Sequence, residues 1–259
     1  MFKKIILTFI VLISQMASQM MLSSAHAEAA PDGKAIITKM IDKMRNRVNV
    51  SDYEMTVVRP QWTRSFKMKV WDHRQNKKVF VRILEPAKDK DIAFLRIDYN
   101  LWNYLPSVEK VMKIPPSMML QPWMGSDFSN DDLVKESSYI DDYDHQVVGE
   151  EIQNGMKIIK VELTPHENAP VVWGKVVYWV RAQDQLPVRQ QFIDENGVLI
   201  KDLTYSEFKV LDSVLLPTHW EMTPVKKEGQ KTILNLLSID FNPSPPLSDT
   251  IFTEKNLRP

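Results

Sequence analysis

Four histidines lie beyond residue 27, at His73, His145, His166 and His219, and none falls in a short metal-ligand spacing such as H-E-x-x-H. Cysteine is absent, which removes thiol nucleophiles, thiolate metal sites, disulfides and a lipid-modified N-terminal cysteine. There is no G-x-S-x-G elbow, P-loop, G-x-G-x-x-G or kinase signature, and seven glycines in 259 residues are few for phosphate-cradling loops. Asp141, Asp142 and Asp144 offer carboxylate oxygens to Ca²⁺, but they lack the glycine that turns a calcium loop around its ion. The expectation is a chain without catalysis, resident metal or cofactor.

The residues with the most distinctive chemistry are apolar. Met112, Met118, Met119 and Met124 crowd into thirteen residues, joined by Leu120, Trp123 and Phe128. Methionine is flexible and polarizable, so a surface rich in it adapts to apolar ligands of variable shape. A plain core helix would have a similar composition. Thioether coordination of Cu(I) would need cysteine or histidine beside the cluster, and neither is there. Together with Phe94 and Trp102, the residues Met118, Met119, Leu120, Trp123, Met124 and Phe128 are the candidate contacts for an apolar ligand.

Charge narrows the class further. The chain carries 33 Lys+Arg against 33 Asp+Glu, with 44% hydrophobic and 25% charged residues, the composition of an ordinary globular protein. Such a neutral balance argues against a nucleic-acid partner, which calls for a marked basic excess. The distribution is uneven: Arg59 to Arg82 holds eight basic residues and one acidic, and Asp127 to Glu151 holds nine acidic residues and Lys135. The two segments either face one another, lie solvated, or steer a partner or membrane headgroups. Residues 1–27 read as a signal peptide, with Lys3 and Lys4, an apolar run from Ile5 to Ile13, and Ala25-His26-Ala27 as the cleavage pattern. Residues 28–259 are then one exported domain, expected outside the cytoplasm.

These residues need a scaffold, and the patterning supplies one. Ile36, Ile37, Met40, Ile41, Met44 and Val48 recur at helical spacing after Asp32, a capping residue, predicting one amphipathic helix of about fifteen residues. Thirteen strand-like runs follow, from Tyr53–Arg59 to Lys231–Phe241, with hairpin signals at Asn154-Gly155, Asn196-Gly197 and Glu228-Gly229. No helices alternate with them, so the sheet is antiparallel. Val176-Val177-Tyr178-Trp179-Val180 and the run around Ile233 to Ile239 are apolar on both faces, which one helix cannot cover. Curvature around an interior answers this, in the manner of half a large barrel. Pro115 to Lys135 breaks the strand pattern as a helical insertion, with Ser117–Met124 as an apolar helical piece and Asn130 as a cap.

Leu101-Trp102-Asn103-Tyr104-Leu105-Pro106, Lys110-Val111-Met112-Lys113-Ile114, Met124-Gly125-Ser126-Asp127-Phe128-Ser129 and Asp132-Leu133, in this order, resemble the outer membrane lipoprotein-sorting protein family of LolA-like periplasmic carriers. Further matches are Tyr178-Trp179-Val180, Leu186-Pro187-Val188-Arg189, Lys201, Thr232 and Phe252 to Leu257. The resemblance implies a mainly β fold: an unclosed antiparallel β-barrel with an N-terminal helix and a helical lid over an apolar cavity for acyl chains. It also implies a lid-tethering arginine, for which Arg64, Arg82 and Arg96 are the candidates. The expected partners are lipid or lipoprotein acyl chains, an inner-membrane transporter of the ABC or RND type, and a membrane touched transiently. The alternative is a non-carrying periplasmic adaptor of such a transporter, with the cavity filled by its own side chains.

Overall fold

The computed structural model describes residues 31–135 and 138–259; the signal peptide read at residues 1–27 lies outside them. Helix α1 (Gly33–Arg45) opens the described chain. Asp32 caps it, its carboxylate accepting from the backbone N–H groups of Lys34 and Ala35, and Lys43 and Arg45 sit in its last turn, where the helix dipole favours cations. The helical period stops short of Val48, which begins β1 (Val48–Arg59).

Twelve more strands follow: β2 (Trp62–His73), β3 (Lys78–Glu85), β4 (Ala93–Ile97), β5 (Asn100–Leu105), β6 (Lys110–Lys113), β7 (Tyr143–Gln153), β8 (Met156–Pro165), β9 (Lys175–Arg181), β10 (Pro187–Ile193), β11 (Leu199–Leu211), β12 (Val214–Pro224) and β13 (Lys231–Asp240). They form one antiparallel sheet in the order β6-β5-β4-β3-β2-β1-β13-β12-β11-β10-β9-β8-β7. Every neighbour is a hairpin neighbour except β1 and β13, which join the first strand to the last. The sheet is an unclosed barrel, and its two free edges, β6 and β7, are the strands on either side of the insertion. Asn154 and Gly155 both adopt positive φ in the two-residue turn between β7 and β8, as a type I′ hairpin requires. Asp212 and Ser213 do the same between β11 and β12, without a glycine. Bulges at Asp52/Tyr53, Lys67/Met68 and Val147/Gly149 add bend to strands that must curl.

Curling gives the sheet an inside. Ile36, Ile37, Met40 and Ile41 of α1 pack with Val161, Val176, Tyr178, Val180 and Phe192 on the inner face of the β7–β12 half. A second cluster, including Met55, Phe66, Ile83, Phe94 and Leu101, lines the β1–β5 half. Register fixes which side chains share that inner face: Asn49, Asp72, Val79, Arg96 and Leu101 lie side by side across β1 to β5. The next residues along β4 and β5 face outward, where Leu95 and Tyr104 are covered by Phe252 and Leu257 of the C-terminal tail. No helix of the described residues is long and apolar enough to cross a membrane.

The insertion is less helical than its composition predicts. Ser117–Met124 is not a helix; it holds the short 3-10 turn Pro116–Met118, and a second, Trp123–Gly125, follows Pro122. Pro122 has no N–H to give a helix, and Met124 takes a left-handed φ of 53° beside Gly125. Regular helix returns only at α2 (Asn130–Lys135) and the single turn α3 (Ser138–Asp141). The cap of α2 is Ser129 rather than Asn130: Ser129 Oγ accepts from Asp132 N at 3.3 Å while Asp132 Oδ2 accepts from Ser129 N at 2.6 Å, a reciprocal box.

Candidate functional site

Between the two halves of the sheet lies a cavity of about 190 Å³. Phe94, Leu101, Val81 and Met68 line it from one half, and Tyr178, Phe192, Leu203 and Trp220 from the other. Met44 and Arg45 close it from α1, and Trp123, Phe128, Asp132, Leu133 and Tyr139 close it from the insertion. Its size is close to the ~150 Å³ of an apolar cavity that takes up benzene, and below the ~300 Å³ at which pockets for larger ligands begin. A long acyl chain therefore enters only if the walls part, and the insertion is the wall with no strand ladder to break.

What holds the insertion down is a set of buried polar anchors. Arg59 Nη1 donates to Asp127 Oδ2 at 2.9 Å, and its Nη2 donates to Gly125 O at 2.7 Å. Thr232 Oγ1 donates to the same carboxylate at 2.7 Å and accepts from Asp127 N at 2.9 Å. Deeper, the ammonium of Lys201 on β11 pairs with Asp132 of α2, the two side chains 5% and 8% exposed. That ammonium also lies 4.8 Å from the Trp173 ring and 4.7 Å from the Phe192 ring. Of the three candidate tethering arginines, only Arg96 reaches the insertion, its Nη1 donating to Leu133 O at 3.5 Å. Arg64 pairs with Asp89, and Arg82 donates to the tail carbonyl of Asn256. Of the residues that carry the family resemblance, Asp127, Asp132, Lys201 and Thr232 are all anchors.

Two ion pairs bear on the charged segments. Arg59 with Asp127 and Lys77 with Asp141, at 3.3 Å, join the basic run to the acidic one across the fold. Burial first, then Asp131, Asp142 and Asp132, hold the Tyr143 phenol protonated far above its usual range. His145 places Nε2 2.7 Å from the carbonyl of Tyr139, a cavity-lining residue on α3. Desolvation lowers the His145 pKa, opposed by that carbonyl; Lys34 lowers it further, while Asp144 and Asp32 raise it. The unfolded chain consequently takes up this proton before the folded one does. Stability contributed here is complete above the ordinary histidine pKa and declines as pH falls from it toward the lowered folded value. The melting temperature should drop between pH 7.5 and 5.5 by more in the parent than in His145→Gln, as thermal melts followed by circular dichroism would reveal; parallel curves would exclude His145 as a source.

The eight candidate ligand contacts divide in space. Phe94, Trp123 and Phe128 line the cavity, and Trp123, 4% exposed, sets its ring edge-on to Phe94 at 5.4 Å between centroids. Met119 and Met124 are half-buried on the cluster beneath them. Met118 and Leu120 point to solvent, Leu120 being 61% exposed. Trp102 stands on the outer face of β5, packed near the C-terminal tail with Lys113 Nζ 5.4 Å from its ring. The sequence reading named Asp132 and Lys201 only within the resemblance and did not pair them, and it did not single out the buried polar group of Arg45, Asn49, Ser51 and Asp72 at the cavity wall. Among the described residues no three of His, Asp and Glu converge as a metal would require.

A family model whose description reads "Uncharacterized protein" matches residues 75–259, well over half of the chain and including both strands that flank the insertion. The chain belongs to that family. Among solved structures, a DUF1329 family protein from Desulfovibrio piger is 24% identical, with a TM-score of 0.77 over 87% of this chain and 98% of that one. A LolA superfamily protein from Nitrosomonas europaea is 22% identical, with a TM-score of 0.74 over 88% of this chain and 100% of that one. A domain described as outer membrane lipoprotein-sorting, from Vibrio parahaemolyticus, is 23% identical, with a TM-score of 0.73 over 87% of this chain and 97% of that one. At these identities the likeness is one of fold, and the fold is LolA-like. Comparison with curated proteins gives no match.

Proposed function

We propose that this protein is a periplasmic carrier that takes an acyl chain, of a lipid or of a lipidated protein, into the barrel cavity and shuttles it between an inner-membrane transporter and the outer membrane, without catalysis. The observation that supports this reading is the cavity itself: an interior lined by aromatic and aliphatic side chains, at the one gap in the sheet, covered by an insertion held through side chains rather than strand ladders. The LolA-like fold is consistent with it. Burying a methylene is worth about 0.8 kcal/mol relative to water, so a sixteen-carbon chain adrift in the periplasm costs on the order of 10 kcal/mol, which the cavity removes. A bilayer removes the same cost, so the cavity holds little advantage over a membrane, and parting the lid anchors is a further expense. Loading then depends on a transporter that expels the cargo, of the ABC or RND class.

The expected result is that purified protein lacking residues 1–27, mixed with plain phospholipid vesicles and re-isolated, carries little lipid. Efficient uptake with no partner and no energy source would overturn the transporter-dependent part. One observation favours the adaptor reading, namely that the cavity, at about 190 Å³, is too small for a long chain without movement of its walls. If it never opens, short acyl probes as well as long ones are excluded.

A further inference from the structure

The cavity wall is mostly apolar, yet among the described residues some of its side chains keep a buried hydrogen-bonding atom in reserve: Trp123 Nε1 and Asp132 Oδ1 in the insertion, and Asp72 and Gln190 on the sheet. Asp72, 4% exposed, uses only Oδ2, which accepts from Arg45 Nε at 2.7 Å and from Asn49 Nδ2 at 3.3 Å. Its Oδ1 is buried with no hydrogen-bond partner among the described residues. Gln190, 3% exposed, accepts from the Tyr205 hydroxyl at 2.9 Å through Oε1, while its Nε2 is likewise buried and unpartnered. Both residues line the same cavity, Asp72 on β2 and Gln190 on β10. Buried polar atoms are nearly always satisfied, and leaving one unpaired in a dry site is destabilising. A plain hydrocarbon would leave both unpaired and remove water as well.

The chemistry of the two atoms says what would satisfy them. Oδ1 of a carboxylate accepts and Nε2 of an amide donates, so the occupant must both donate and accept; a hydroxyl does both. Of the charged side chains that the described residues bring to the wall, Asp72 is paired with Arg45, Asp132 is paired with Lys201 behind it, and Arg96 donates to Leu133 O. An ionised head would have to compete with these existing partners to offset its desolvation. We propose that the preferred ligand is an uncharged amphiphile whose hydroxyl-bearing head enters the cavity to meet Asp72 and Gln190, with its alkyl chain against Phe94 and Trp123. This rests on the carrier reading and narrows it, from any acyl chain to hydroxylated, neutral lipids such as acylglycerols.

Three twelve-carbon ligands separate the alternatives: 1-monolauroylglycerol, which donates and accepts; methyl laurate, which only accepts; and laurate, which is charged. Each is titrated against a fluorescent acyl probe bound to the protein lacking residues 1–27. The expected result is displacement by 1-monolauroylglycerol at about tenfold lower concentration than by either of the others, the ratio that one well-made hydrogen bond in a dry site supports. Methyl laurate and laurate can also accept from Gln190, so that advantage reads the bond to Asp72; in Gln190→Met, which keeps the volume and removes the donor, all three should bind several-fold more weakly. Asp72→Asn, which places an amide donor where the acceptor was, should remove the advantage, and if weakening of the Arg45 pair unfolds that variant, the loss of affinity in Gln190→Met still decides. Equal displacement by all three, tighter displacement by laurate, or affinities unchanged in Gln190→Met would overturn the proposal and leave the carrier reading standing; waters filling both positions predict that outcome. Failure of all three to displace the probe would instead remove the carrier reading.

Discussion

Replacing Trp123 by alanine is expected to weaken binding of a fluorescent acyl probe by about tenfold or more, because the ring is the largest side chain that the insertion turns to the cavity and its removal forfeits roughly 1.5–3 kcal/mol of apolar contact. The same change should lower the unfolding free energy by about 3–5 kcal/mol, the usual cost of truncating a buried aromatic. Two effects of this size can be told apart. Trp123 packs on Phe94 and belongs to the cluster of the β1–β5 half, so part of the loss is core packing. Yet it sits on a 3-10 turn outside the strand ladders, so the β-sheet signal in far-ultraviolet circular dichroism should persist. Met119→Asp, on a half-buried neighbour, places charge against the same hydrocarbon with less damage to the core. A folded Trp123→Ala protein that binds the probe as tightly as the parent would take the insertion out of the binding site. A molten one would make Trp123 a core residue and nothing more.

Lys201→Met should be comparably damaging to stability. Lys201 and Asp132 are both buried, and removing one partner of such a pair leaves an uncompensated charge, typically at a cost of about 3–5 kcal/mol. For a chain of this length the melting temperature should fall by roughly 10 °C. Asp132 also accepts from Ser129 N and Oγ at the start of α2, so losing its counter-ion should loosen the insertion first. Limited proteolysis should then cut within residues 115–135 sooner than anywhere in the sheet. The double variant Lys201→Met, Asp132→Leu removes both charges and should recover much of the loss, less about 1 kcal/mol for the missing cap. If the single variant melts with the parent, the ion pair does not hold the lid.

The strands were open to reading because each is a short-range pattern. All thirteen runs become strands in the expected order, and the hairpin at Asn154-Gly155 has the backbone its residues demand. The turn at Asp212-Ser213 was less visible, since positive φ there is borne by non-glycine residues. The pairing of β1 with β13, which joins two meanders into one unclosed barrel, links residues nearly two hundred positions apart and leaves no local trace. The same distance hid the anchors: Lys201 and Asp132 are 69 residues apart, and each alone looks like an ordinary surface charge. Composition overstated helix in Ser117–Met124, where Pro122 and Gly125 ought to have weighed more than the methionines. Trp102 could have been placed on the outer face from parity alone, because Leu101 beside it faces the cavity and successive strand residues alternate.

The central claim is that the cavity carries lipid, and native mass spectrometry of the protein purified from its own host tests it most directly. The account predicts a population heavier than the mature chain by the mass of one lipid or acyl-bearing ligand, released on activation in the gas phase and diminished in Trp123→Ala. Repeated preparations containing only the bare chain, together with a stable complex between that chain and a membrane transporter, would contradict it and make the protein an adaptor.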